Sequence, residues 1–178
     1  LLLSAITQAH NRSESYSTWT FQDSTVTAVV VVPAREATRV PLSADNKNQA
    51  LNQRFADYLG HRVTLAAADY GCQQTALIPL VAKAGYVKVE LQFNCEISPQ
   101  QINYLGLFDL VPSHVHFARI TKGQQVYDEY LFSAERTQWK LPNMQEGENP
   151  KSSAGQRSFT QFVQLGVTHI ASGVDHIA

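Results

Sequence analysis

The clearest pattern in the chain is a two-residue alternation. Val87, Val89, Leu91, Phe93 and Cys95 alternate with Tyr86, Lys88, Glu90, Gln92 and Asn94. That predicts a strand with one apolar face. Val63, Leu65 and Ala67 alternate in the same way. Residues 15–32 are rich in Thr, Val, Tyr and Trp and suit two strands joined by a turn at Gln22-Asp23-Ser24. Residues 102–107, 114–121 and 125–132 read as three more strands, the last two joined by a hairpin turn at Lys122-Gly123-Gln124. Between the strands, Leu51, Phe55, Tyr58 and Leu59 fall at helical spacing. They predict one helix over 47–59, with Asp45 or Asn46 as its cap and Gly60 as its end.

Short strands, close turns and one inserted helix predict a mainly β domain. The expected architecture is an antiparallel β-sandwich of immunoglobulin-like type. Trp19 and Trp139 are expected in its core or at an interface.

The ends of the chain read differently. Residues 141–158 hold Pro142, Asn143, Gly147, Asn149, Pro150, Ser152, Ser153 and Gly155, a linker composition. Residues 159–178 carry one formal charge, Asp175, and predict the first part of a transmembrane helix. Gln161, Gln164, Thr168 and Ser172 favour a helix packed among other helices over one facing lipid. At the other end, residues 1–6 resemble the tail of a secretory signal, and Thr7-Gln8-Ala9 offers a cleavage site. Cleavage there would make His10 the mature N-terminus. The expected organisation is a signal remnant over 1–9, an exported domain over 10–140, a linker over 141–158 and a membrane helix from 159.

Composition narrows the function. The chain is 44% hydrophobic and 16% charged, with a net charge of −1. It has no Lys/Arg cluster to neutralise phosphates, so nucleic acid is not an expected partner. Cys72 and Cys95 are expected to form a disulfide in an oxidising compartment, contributing roughly 3 kcal/mol by loop-closure entropy. No Gly-x-Ser-x-Gly, phosphate loop, dinucleotide glycine pattern or His-Glu-x-x-His motif occurs, so no catalytic residues are expected.

Histidine supplies the candidate chemistry. His114 and His116 are two apart on a predicted strand and share a face. Neutral imidazoles in such a pair suit a transition metal. An N-terminal His10 would add an amine and a third imidazole. His10, His114 and His116 are therefore the expected outer metal site, a nitrogen-only set favouring copper or nickel. The ligand types resemble the amine–histidine brace of copper polysaccharide monooxygenases. A second set lies in the terminal helix. His169 and His176 are seven apart and share a face, with Asp175 beside them. Ionisable groups in a membrane helix are costly and mark a partner or a pathway.

The run Gly166, two residues, His169-Ile170, two residues, Gly173, one residue, Asp175-His176 resembles the first membrane-helix motif of the HupE/UreJ family. These are hydrogenase and urease accessory membrane proteins. Ala9-His10 and the late His114-Val115-His116 strand fit the branch with a long outer domain. The resemblance implies an inner-membrane protein linked to nickel or cobalt uptake, with the outer domain in the periplasm. It implies that His169, Asp175 and His176 carry the ion, together with further membrane helices of the same protein. A copper redox enzyme ranks last. The alternative to a metal role is an exported interaction module that binds another protein.

Overall fold

The structure is a computed structural model that describes residues 13–67 and 70–142. The first strand, β1 (Glu14–Gln22), turns through Asp23 and Ser24 into β2 (Thr25–Pro33). Asp23 takes a φ of 49°, the left-handed conformation that tight hairpins favour. A short helix α1 (Ala34–Ala37) and the main helix α2 (Leu51–Gly60) follow. The chain continues through β3 (Val63–Ala67), β4 (Tyr70–Gly71), β5 (Gln73–Leu80) and β6 (Tyr86–Asn94). It then forms β7 (Gln101–Tyr104), β8 (Val115–Lys122), β9 (Gln125–Phe132) and β10 (Gln138–Lys140). The expectation of a mainly β domain holds.

Two sheets share one core. The larger has six strands in the order β5-β6-β2-β1-β8-β9, and the smaller has four in the order β10-β7-β3-β4. Trp19, Phe93 and Ile120 from the first meet Leu65, Ile102, Tyr104 and Trp139 from the second, with Phe55 and Leu59 of α2 closing one side. Trp19 and Trp139 are both buried, as their size and type predict. Cys72 sits where the chain crosses from β4 in one sheet to β5 in the other. Its disulfide to Cys95, just past β6, ties that crossing down, with Cα atoms 4.4 Å apart.

Three expectations are corrected. The larger sheet is not wholly antiparallel, because β1 and β8 run parallel within it. The main helix begins at Leu51 rather than at 47. Asn46 is spent on the preceding turn, accepting the Ser43 N–H at 2.8 Å and donating to the Pro41 carbonyl at 3.2 Å. The strand over 102–107 stops at Tyr104. Beyond it Leu107 takes a φ of 69°, and its N–H donates to the Tyr58 hydroxyl at 2.8 Å. Full burial of the Leu107 side chain offsets the cost of that backbone conformation. Strand β5 carries no alternation strong enough to predict it, with Pro79 inside and a bulge between Gln74 and Ala76.

Candidate functional site

The inner face of β1 presents Ser15, Ser17 and Trp19, with Ser13 just before them on the same side. The facing strand contributes His116, and His114 lies one residue ahead of β8 in the same line. The two imidazoles are brought together, as their spacing predicts. Both are fully buried between the sheets.

Serine hydroxyls fill the space between the rings. Ser13 Oγ lies 2.7 Å from His114 Nδ1, and Ser15 Oγ lies 2.8 Å from His114 Nε2. The same Ser15 Oγ lies 2.6 Å from His116 Nδ1, and Ser17 Oγ lies 2.8 Å from His116 Nε2. The Trp19 indole N–H donates to Ser17 Oγ at 2.8 Å. Serines and histidines thus alternate in one line that ends on an indole. The Tyr104 ring covers His116 face to face, with centroids 3.7 Å apart. Phe108 stands against His114 at 5.9 Å. The Tyr104 hydroxyl is buried close to Ser15 but lacks a hydrogen bond of good geometry.

Burial governs the charge of these groups. It pushes the His114 imidazole from 6.5 down to about 4, against a weaker opposing pull from the Glu36 carboxylate. It pushes His116 well below the ordinary value, and His114 adds to that shift. Glu36 is itself buried on α1, held by Arg35 at 3.2 Å and Arg39 at 2.8 Å. Both rings are therefore neutral at pH 7.

A neutral imidazole is a ready metal ligand only if one ring nitrogen points at the metal. Here all four ring nitrogens already face a serine oxygen. Among the described residues no group of three His, Cys, Asp or Glu side chains is placed to hold a metal ion. The pair as arranged does not fit the expected outer metal site, because ligation would make a ring give up a serine. His10, the third expected ligand, lies outside the described residues. So do His169, Asp175 and His176, the expected signal remnant, most of the expected linker and the expected terminal helix. Among the described residues no helix is long and apolar enough to cross a membrane.

The serines are the functional residues that pattern reading missed. Ser13, Ser15 and Ser17 recur at two-residue spacing. Small polar residues on the inward face of a strand need a buried polar partner, and His-x-His is the matching spacing.

A second feature lies on the outer face of the six-stranded sheet. A groove of about 520 Å³ is lined by Tyr16, Val29, Val31, Lys88, Arg119 and Tyr130, among others.

No family model and no curated protein matches this chain.

Proposed function

We propose that the chain is the exported domain and first membrane helix of a HupE/UreJ-like inner-membrane protein connected with nickel, cobalt or copper handling. The observation that carries this reading is the Gly166, His169-Ile170, Gly173, Asp175-His176 run in an almost uncharged segment. The Cys72–Cys95 bridge supports export to an oxidising compartment. In this reading the metal contacts lie at His169, Asp175 and His176, with His10 as the remaining outer candidate. The finer architecture proposed is an immunoglobulin-like sandwich carrying a parallel β1–β8 seam.

Titration of Ni(II), Co(II) and Cu(II) into the full chain in detergent micelles tests the reading. A site of defined stoichiometry, lost in His169→Ala and in His176→Ala, is the expected result. An absence of binding, or binding unaffected by both changes, would remove the metal role.

The outer-face groove favours a second reading, an extracytoplasmic interaction module. An exported partner would rest on Tyr16, Val29 and Val31, with Lys88 and Arg119 also lining the groove. Co-purification of one exported protein with the full chain, lost in Val29→Glu, would support that reading over the metal one.

A further inference from the structure

The six residues from Ser13 to Trp19 and from His114 to His116 that line the seam have their protons fixed by one of them. An indole N–H can donate and cannot accept. Ser17 Oγ therefore accepts from Trp19, at 2.8 Å. Its own proton then goes to the neighbour on its other side, His116 Nε2, at 2.8 Å. A neutral ring that accepts at Nε2 carries its proton on Nδ1. His116 thus donates to Ser15 at 2.6 Å, and Ser15 passes its proton to His114 Nε2 at 2.8 Å. His114 Nδ1 completes the series by donating to Ser13 at 2.7 Å. With the reverse polarity, Ser17 would accept from both Trp19 and His116. Its own proton would then have no acceptor in this hydrogen-bond line, at a residue only 3% exposed. A buried donor without a partner is costly.

We propose that Ser13, His114, Ser15, His116, Ser17 and Trp19 form a one-directional hydrogen-bond ladder with both imidazoles protonated at Nδ1, and that this ladder is the key that sets the register of β1 against β8. The seam needs such a key. Its strands run parallel, the slightly weaker pairing, and they are joined only through the rest of the domain rather than by a hairpin. The first half of the inner face of β1 carries two serines before Trp19 and Phe21, so apolar patterning there says little about register. A slip by two residues would keep every side chain on its own face. In one direction it would put His116 between Ser17 and Trp19, take the indole N–H off Ser17 and leave the buried Ser13 hydroxyl without an imidazole. In the other it would leave Ser17 and Trp19 without an imidazole. Only the observed register alternates three hydroxyls and two rings without a gap and ends on a donor. Setting register is the best-attested use of buried polar groups. The inference is independent of the metal and partner readings, and it accounts for why the His114–His116 pair holds serine oxygens.

The test is nitrogen NMR on the full chain with ¹⁵N-labelled histidine at neutral pH. The two rings are assigned through their contacts with the Tyr104 and Phe108 rings. Both are expected as single Nδ1–H tautomers in slow exchange, with a Trp19 indole proton that resists hydrogen exchange. An Nε2–H tautomer at either ring, or the averaged signal of a solvated histidine, would overturn the ladder. The keying is read from Ser17→Ala beside Ser17→Thr, which keeps the hydroxyl. Loss of the single β1 register in the alanine variant, as a second set of β1 signals or as unfolding, is expected, with the register retained in the threonine variant. An unchanged single register in Ser17→Ala would overturn the keying.

Discussion

The seam between β2 and β6 and the seam between β1 and β8 lie in the same sheet and face the same core, but they are built from opposite materials. Across the first, Val26, Ala28, Val30 and Val32 pair with Phe93, Leu91, Val89 and Val87. All eight side chains are buried and apolar. Across the second, Ser15 pairs with His116 and Ser17 with Ala118 before Trp19 meets Ile120. The apolar seam gains its stability from area removed from water, which is non-directional and forgives changes of shape. The polar seam gains less from burial and more from direction, because each hydroxyl and each ring has one correct neighbour. It should tolerate little and specify much.

Substitutions that split the two seams test that contrast. The largest effect is expected from Ser15→Ala, which removes one oxygen and leaves two ring nitrogens without partners. At about 1–3 kcal/mol for each orphaned group, the loss is about 2–6 kcal/mol, read from a shift in the urea midpoint at unchanged slope.

Acid should come next, and it should act on the polar seam. The unfolded chain protonates its histidines near 6.5, whereas folded His114 resists until about 4 and His116 lies well below the ordinary value. Over that window the unfolded state binds more protons. Stability contributed by these rings is therefore complete above about pH 7 and falls as the pH drops toward 4. The slope is at most about 1.4 kcal/mol per pH unit for each ring. Urea titrations between pH 7 and 4 on the wild type and on His116→Gln measure it, and the variant should show the shallower dependence.

Gly106→Ala sharpens the contrast from outside the ladder. A Cβ there would stand 2.7 Å from the Tyr104 hydroxyl and 2.8 Å from its ring carbon, while that ring is stacked on His116. Overpacking of this kind costs about 1–3 kcal/mol, and the expected thermal midpoint is lower. In the apolar seam, Leu91→Met keeps the volume and should cost less than about 1.5 kcal/mol in the same assay. The smallest effect is expected on the outer face of the polar seam itself. Arg119→Ala breaks an exposed 3.2 Å contact to Thr18 and should stay within about 0.5 kcal/mol.

The apolar seam was legible in the chain and the polar one was legible only in pieces. Alternation at Val87, Val89, Leu91 and Phe93 predicts β6 and its buried face, because burial and period-two geometry leave the same mark. The hairpins at Asp23 and Gly123 are likewise local, since two residues decide them. The pairing of β1 with β8 is not local. Their partners are about a hundred residues apart in sequence, and nothing in a short window says that one strand will run beside the other in parallel. His114 and His116 were visible as a same-face pair, but their partners were hidden in serines, which pattern reading counts as surface. The helix start failed for a related reason. Asn46 has the chemistry of a cap and spends it on a turn, a choice made by the chain around it.

His114 and His116 serve the seam between β1 and β8. The most direct test follows their ring nitrogens by NMR while Zn(II), a diamagnetic probe, is added to the full chain at neutral pH. Both rings are expected to keep their signals and their Nδ1 protons at and beyond one equivalent of metal, whatever occurs at the other histidines. A stoichiometric shift of either ring, with loss of its Nδ1 proton or of its serine partner, would contradict that role and return the pair to metal binding.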